Sequence, residues 1–179
     1  EALELGRPFE FIPNLIYRDP GGQIIQTRKA SLPDQDQLPP LPYEHLDRFY
    51  PIHRYLGKTF LGQRTLAYHS SVGCPFTCSF CAVVPVYEAR WSGKSASNIC
   101  KDLFYLKEKY NADAIEFHDN NFFVSEKRTV EFSGLMLGKN MNWWGEGRID
   151  TVDRYSDRSL SIMREAGCIQ VQVGIESGD

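Results

Sequence analysis

The stretch Gly73–Cys81 reads GCPFTCSFC and places three cysteines at a C-x3-C-x2-C spacing. Thiolates are soft ligands that suit iron–sulfur clusters, zinc or copper(I). A ferredoxin-type motif would add a fourth cysteine nearby, and a zinc ribbon would add a second CxxC pair, but neither follows in this sequence. Three thiolates leave one metal position open, which is the mark of a catalytic metal rather than a structural one. The stretch therefore predicts a catalytic metal centre.

The segments around this stretch alternate between strand and helix patterns. The predicted strands cover residues 65–71, 113–118, 141–147 and 168–175, and the predicted helices cover residues 95–111, 125–139 and 156–167. Such alternation is typical of a parallel sheet with right-handed crossovers. Since the helix patterns are amphipathic, one face of each helix must pack on that sheet. We therefore expect an α/β fold that forms a partial (β/α) barrel.

Residues 1–65 differ from the rest, because they hold eight of the ten prolines. In NLIYRDPGGQIIQT, apolar runs flank the turn Asp19–Gly22, which predicts a β-hairpin. The following LPDQDQLPPLPYEHLD is rich in proline and predicts an extended segment. We expect residues 1–65 to be a linker, or the end of an upstream domain, and residues 66–179 to be the first part of a core domain. The chain starts without methionine and ends directly after a strand-like run, so we expect a fragment of a longer protein.

Composition and charge exclude several classes of function. The 179 residues carry a net charge of -3, which gives no electrostatic basis for binding nucleic acid or a membrane surface. There is no apolar run near 18 residues and no signal-peptide pattern, so we expect a cytoplasmic protein without membrane insertion. Five cysteines, three of them clustered, do not fit a disulfide framework. We expect Cys100 and Cys168 to be small buried core residues.

Polar residues follow each predicted strand. In parallel α/β folds the carboxyl ends of the strands meet at one edge, where ligands bind. The cysteine loop follows the first strand, and polar side chains after the other three would meet it there. These are Asp119, Asn120 and Asn121 after the second strand, Glu146, Arg148 and Asp150 at the end of the third, and Glu176 and Ser177 after the fourth. We interpret them as parts of a single site.

A CxxxCxxC motif with an aromatic residue before the last cysteine, here Phe80, resembles the radical S-adenosylmethionine (SAM) superfamily. The stretches SSVGCPFTCSFC and AGCIQVQVGIESGD, and the linker PNLIYRDPGGQII…LPPLPYEHLD, are similar to the subgroup with an N-terminal cobalamin-binding domain. The resemblance covers essentially all of residues 10–179. It implies that the chain carries about four of the six parallel strands of a radical SAM core.

The resemblance also implies a chemistry. In this superfamily the three cysteines hold three irons of a 4Fe–4S cluster, the fourth iron binds SAM, and an electron splits SAM to a 5′-deoxyadenosyl radical that abstracts a substrate hydrogen. By this resemblance Cys74, Cys78 and Cys81 are the cluster ligands. Cobalamin, held mainly by a domain outside this chain, would assist methyl transfer or another radical step. A small-molecule substrate and a reductant such as a flavodoxin or ferredoxin are the implied partners.

The remaining site residues are implied contacts to SAM. Asp119, Asn120 and Asn121 lie where the family has the glycine–glutamate-type motif that receives the SAM amino group, although this sequence departs from the Gly-Gly-Glu form. Glu176 and Ser177 match the fourth-strand position that contacts the ribose or the methionine end. Arg148 suits the SAM carboxylate because a guanidinium matches carboxylate geometry. Phe80 is placed to contact the adenine.

Several alternatives stay open at this point. His69 would complete a Cys3His zinc site, and the chain would then be a non-catalytic structural module. Cys78 and Cys81 alone would make a redox pair, although that leaves Cys74 unexplained. A cobalamin-free radical SAM enzyme, such as a methylthiotransferase, would share the cysteine motif. Independently of these alternatives, Asp119 could simply end a strand and cap a turn, and Arg148 could pair with Glu146 or Asp150 at the surface.

Overall fold

The chain divides into two compact units, Glu1–Leu32 and Pro33–Asp179. The computed structural model describes residues 4–178. The second unit contains all of the predicted α/β pattern, together with residues 33–64 that precede it. The division into a linker that ends near residue 65 and a core domain that follows it stays a prediction.

The first unit contains the predicted hairpin. Strand β1 (Ile16–Arg18) pairs antiparallel with strand β2 (Ile24–Gln26). Asp19 closes the turn, because its carbonyl accepts the N–H of Gly22 at 2.9 Å and its carboxylate accepts the N–H of Gln23 at 2.8 Å. A short polar side chain that binds the backbone ahead of it is a common device of such turns. The hairpin prediction is therefore confirmed.

The second unit is built from helices and strands in alternation. Its elements are α1 (Tyr43–Phe49), β3 (Thr65–Tyr68), β4 (Ser71–Gly73), α2 (Val83–Tyr87), β5 (Trp91–Gly93), α3 (Ala96–Tyr110), β6 (Ala114–Phe117), α4 (Glu126–Met136), β7 (Asn142–Gly147), α5 (Ile149–Val152), α6 (Asp157–Glu165) and β8 (Cys168–Val173). Strands β3, β6, β7 and β8 form one parallel sheet in that order. The predicted α/β fold with four parallel strands is confirmed. Among residues 4–178, no helix combines the length and the apolar character needed to cross a bilayer.

Serine caps begin the three long helices. Ser95, Ser125 and Ser156 each accept, through the side-chain oxygen, the backbone N–H three residues further on, at 3.3, 3.3 and 3.2 Å. Such caps satisfy one of the N–H groups that a helix leaves free at its start. Gly167 follows α6 with a φ of 93°, the left-handed conformation that glycine adopts without strain. The predicted helix ends are therefore correct to within a few residues.

The core lies on the helix side of the parallel sheet. Its largest fully buried side chains come from α3, α4, β6 and β7 and from the short turn Phe122–Val124. Trp143 is fully buried there, whereas Trp144, the next residue, packs on the other face with Leu61 and Ala114. Neighbouring strand residues point to opposite faces, so the two tryptophans separate as their sequence order predicts. Cys100 and Cys168 are buried, as predicted.

Two predicted segments differ from the structure. The strand predicted over residues 65–71 ends at Tyr68, and Ser71 begins the separate strand β4, which pairs antiparallel with β5. The chain leaves the sheet because the N–H of Ser70 donates to the Asp119 carboxylate rather than to a strand. The proline-rich stretch is not extended throughout, since α1 begins directly after Pro42. Proline is compatible with the first turn of a helix, where its missing N–H has no partner to lose.

The buried tyrosines predict a loss of stability at alkaline pH. Burial raises the pKa of Tyr155 to about 12, and burial near Asp102 raises the pKa of Tyr43 to about 12. Burial also raises the pKa of Tyr68, whose hydroxyl donates to Asp102 at 2.5 Å. An unfolded chain loses these protons near the ordinary pKa of about 10, so their contribution to the free energy of unfolding is complete below that pH and falls as the pH rises towards 12.

We expect urea unfolding midpoints to fall as the pH rises from about 10 towards 12. Phenolate absorbance should rise in a delayed step that coincides with the loss of the circular dichroism signal. Titration of every tyrosine near its ordinary pKa, with an unchanged unfolding midpoint, would contradict this expectation.

Candidate metal and cofactor cleft

The three cysteines of the motif lie on one excursion from the sheet. Strands β4 and β5 form a short antiparallel ribbon, and residues 74–90 connect its two strands. Within that connection, the N–H of Cys81 donates to the carbonyl of Cys78 at 3.1 Å, which brings these two residues into one turn. Cys74, Cys78 and Cys81 are free and half-buried. We refer to residues 71–93, the ribbon and its connection, as the cysteine ribbon.

The cysteine ribbon forms one side of an open cleft of about 740 Å³. The opposite side comes from the carboxyl ends of β7 and β8 and from the chain that follows them. Around the cleft lie Cys74, Cys78, Ser79, Phe80, Cys81, Asn120, Glu146, Gly147, Arg148, Ile149, Asp150, Gln172, Val173, Gly174 and Glu176. Five of the eight polar residues predicted to follow the strands therefore lie together at one edge, as expected for a parallel sheet. They are Asn120, Glu146, Arg148, Asp150 and Glu176.

The donor set fits a soft metal or an iron–sulfur cluster. Three free thiols on one loop line the same cleft, and thiolates are the ligands that such centres prefer. Among residues 4–178, no group of three or more His, Cys, Asp or Glu side chains is gathered closely enough to hold a metal ion. Burial raises the pKa of Cys74, and Cys78 and Cys81 raise it further, so binding of a metal there releases protons.

Arg148 connects the far side of the cleft to the cysteines. Its guanidinium stacks 4.3 Å from the centroid of the Phe76 ring, and its Nη1 lies 2.7 Å from the Sγ of Cys78. Its Nε and Nη2 donate to the two carboxylate oxygens of Asp150, both at 2.9 Å. This pair raises the pKa of Arg148 and lowers that of Asp150. The ion pair between Arg148 and Asp150, one of the alternatives from the sequence, is therefore present, and it lies within the cleft.

The structure brings together most of the predicted site residues. Phe80, Asn120, Arg148 and Glu176 line the cleft with the three cysteines. Phe80 is 69% exposed, so its ring is available to a ligand. Ser177 lies outside the lining and donates its N–H to the carbonyl of Ile175 at 2.7 Å. The contacts of these residues to SAM stay predictions.

Asp119 lies in a different place from the other predicted residues. Its side chain is fully buried and does not line the cleft. The carboxylate accepts the N–H of Ser70 at 3.2 Å, the hydroxyl of Ser70 at 2.9 Å and the hydroxyl of Ser71. These bonds occupy the carboxylate within the protein, so this position gives no support to a direct contact with SAM.

His69 also lies outside the lining of the cleft. Its ring is 6.1 Å from the ring of His118, on the face of the sheet opposite the main core. His118 contacts the carboxylate of Glu116 at 3.4 Å and the ring of Trp144 at 5.4 Å. The register of the sheet places Glu146 beside Gln172 on this face. The zinc alternative that used His69 as a fourth ligand therefore has no support in this arrangement.

Two residues near the site were missed from the sequence. Gln172 lines the cleft. The alternation in CIQVQV places Gln170 and Gln172 on one face of the strand, and this pattern could have indicated it. Arg128 is buried in the first turn of α4 and contacts the base of the cysteine ribbon. Sequence offered no signal for it, because charged residues in the first turn of a helix are usually exposed.

Comparison with curated proteins gives a distant but extensive likeness. No protein-family model matches the chain. An uncharacterized methyltransferase from Pyrococcus horikoshii is 28% identical over 179 residues, which cover 99% of this chain and 37% of that protein. The chain thus spans little more than a third of the length of this relative.

Comparison with solved structures gives the same fold. The cobalamin-dependent SAM radical enzyme OxsB superposes with a TM-score of 0.70 at 16% identity, over 99% of this chain and 26% of OxsB. The radical SAM methyltransferase TsrM from Kitasatospora setae, solved with cobalamin and a [4Fe–4S] cluster bound, superposes with a TM-score of 0.63 at 16% identity, over 97% of this chain and 35% of TsrM. The resemblance carried by the cysteine motif is therefore confirmed, and this chain has the fold of the radical SAM enzymes OxsB and TsrM.

Proposed function

We propose that this chain supplies the cofactor cleft of a radical SAM enzyme that transfers a methyl group or carries out a related radical reaction. The observation that carries the proposal is the cleft itself, in which three free thiols face an arginine, an amide and a carboxylate from other strand ends. A purely structural metal site has no need of an open cleft of about 740 Å³ beside it.

The roles of the residues follow from their chemistry. Cys74, Cys78 and Cys81 would hold a 4Fe–4S cluster, which supplies the electron for the reductive cleavage of SAM when it is bound. Arg148 lies next to Cys78 and presents a guanidinium, the group best matched to a carboxylate such as that of SAM. To bind that carboxylate, the guanidinium must give up or share its ion pair with Asp150. Both side chains of this pair are partly exposed, so the pair is weak.

The other lining residues bind different parts of SAM in this proposal. Asn120 and Glu176 carry oxygens that accept hydrogen bonds from an ammonium or a ribose hydroxyl. Phe80 is exposed at the cleft, where an aromatic ring can stack on the adenine. The ring also shields the centre from water.

Methyl transfer with cobalamin is the reaction class that the similar proteins favour. The Pyrococcus relative and TsrM are both named as methyltransferases, and OxsB is described as cobalamin-dependent. Cobalamin would be held mainly outside the cleft described above. A small-molecule substrate would enter along the face that carries Glu116, His118 and Gln172, and a flavodoxin or ferredoxin would deliver the electron.

The proposal is tested by anaerobic reconstitution of the full-length protein with iron and sulfide, followed by EPR of the reduced sample. We expect about four irons with labile sulfide per chain and a spectrum that changes when SAM is added. Adenosine lacks the methionine moiety of SAM, with its α-amino and carboxylate groups. It is the control and should leave the spectrum unchanged. Bound zinc without labile sulfide, or a cluster whose spectrum ignores SAM, would reject the proposal.

A further inference from the structure

Both ends of the cysteine ribbon are held by one buried side chain, Arg128. Its Nε donates to the carbonyl of Lys94, just after β5, at 2.8 Å. Its Nη2 donates to the carbonyl of Ser70, just before β4, at 3.3 Å, and to the Ser70 hydroxyl. The guanidinium of Arg128 is thus bonded to the chain just before the ribbon begins and just after it ends.

The body of the protein fixes Arg128 in turn. Its Nη1 donates to the carbonyl of Phe122 at 3.2 Å, and its guanidinium lies 5.0 Å from the Phe122 ring and 5.5 Å from the Trp91 ring. The residue is only 7% exposed. A planar fork with several N–H groups can reach all of these acceptors at once, which the single ammonium of a lysine cannot do.

Asp119, two residues after the end of β6, completes the arrangement. Its carboxylate accepts bonds from Ser70 and from the hydroxyl of Ser71, the first residue of β4. The Ser70 hydroxyl therefore lies between a buried carboxylate and a buried guanidinium. Charges are buried in proteins when they are paired and hydrogen-bonded, and removal of either partner leaves the other without compensation.

We infer that Asp119 and Arg128 form a clamp that sets the position of the cysteine ribbon relative to the sheet. Ser71 begins β4 and Cys74 follows its last residue directly, so a shift at the clamp moves Cys74 with respect to Arg148 and Asn120 across the cleft. Asp119 and Arg128 are positioning residues, since neither lines the cleft. The clamp itself is a property of the fold, but its consequence for SAM binding rests on the proposed function.

The clamp is tested first in metal-free protein by amide hydrogen exchange. Asp119→Asn replaces one acceptor oxygen by an N–H₂ group, which cannot accept the hydrogen bonds that Ser70 and Ser71 donate. Arg128→Lys keeps the positive charge but removes the planar guanidinium and its several N–H donors. In both variants we expect exchange of the backbone amides in β4 and β5 to become about tenfold faster or more, while α3 keeps its protection. Ser71→Ala, a milder change, should shift the same amides in the same direction by a smaller factor.

Thr129→Val is the matched control for these variants. Thr129 is the next residue of α4 and is fully buried, and its side-chain hydrogen bonds go to Ser125 and Tyr155, at 3.0 and 3.1 Å, rather than to the cysteine ribbon. It should lower overall stability without selective exchange in β4 and β5. Unchanged exchange in the ribbon of all three clamp variants, or equal loosening by Thr129→Val, would overturn the inference.

The second measurement links the clamp to the cleft in the full-length, reconstituted protein. Arg128→Lys should retain most of its iron, because all three thiols remain, while its dissociation constant for SAM rises about tenfold or more, as expected when a cofactor site loses its pre-organised geometry. A merely destabilising change would lower iron content and leave the affinity of the loaded fraction unaltered. If the unmodified protein fails to bind SAM, the proposed function fails, whereas the exchange experiment still decides the clamp.

Discussion

Replacement of any one of Cys74, Cys78 or Cys81 by alanine is expected to lower bound iron from about four atoms to fewer than about one per chain after anaerobic reconstitution. The reason is the ligand count. The motif provides three thiolates, and no other cysteine lines the cleft. With two thiolates left, a second iron has no protein ligand, and the two remaining thiolates hold the cluster too weakly for it to persist. Iron, labile sulfide and the visible absorption of the reconstituted samples provide the measurement.

Cys100→Ala is the control for these variants. Cys100 is 3% exposed, lies on the buried face of α3 and does not line the cleft. Its replacement should cost about 1 kcal/mol of stability and leave iron content unchanged. Full iron content in any of the three motif variants would show that the altered thiol is not a ligand. Equal iron loss in Cys100→Ala would show that iron reports only on general stability.

The parts of the fold that follow from local chemistry were predictable. Ser95, Ser125 and Ser156 begin helices because a hydroxyl can cap the N–H groups of the first turn, and this signal needs only a few neighbouring residues. The strand before each helix is apolar on the side that meets the core. The order of elements then leads to a parallel sheet, and the sheet brings Asn120, Arg148 and the cysteines to one edge.

The role of Asp119 could not be predicted from its position alone. A carboxylate after a strand faces either the ligand edge or the interior, and that choice depends on residues about fifty positions earlier in the chain. Here Ser70 and Ser71 provide three donors that draw the carboxylate inwards. The role of Arg128 could not be predicted for the same reason, because only the tertiary fold brings its acceptors, the carbonyls of Ser70 and Lys94, next to it.

The antiparallel pairing of β4 with β5 was also missed. Each of these strands has only three residues, and the connection between them is long, so neither length nor alternation marks them as a pair. The prediction treated Ser70 and Ser71 as the end of the first parallel strand. In fact the cysteine motif starts from a separate ribbon, whose position depends on long-range hydrogen bonds.

Gly73→Ala is expected to destabilise the cysteine ribbon by more than about 3 kcal/mol and to lower reconstituted iron by more than about half. Gly73 has a φ of 78°, a conformation that costs an L-residue about 1–2 kcal/mol. A Cβ at this position would also overlap the carbonyl oxygen of Arg90, at the end of the connection that holds the cysteines. Relief of that overlap requires the two strands to separate next to Cys74. Urea unfolding and iron content measure the two effects.

Gly138→Ala separates the two causes. Gly138 follows α4 with a φ of 69°, close to that of Gly73, but a Cβ there would meet no atom within 4 Å. This variant should therefore show only the conformational cost of about 1–2 kcal/mol, with normal iron content. The difference between the two variants isolates the close approach of Gly73 to Arg90. If Gly73→Ala and Gly138→Ala lower the free energy of unfolding equally and both keep full iron, the ribbon can open beside Cys74 without disturbing the centre. The glycine before the first cysteine would then matter only for its backbone conformation.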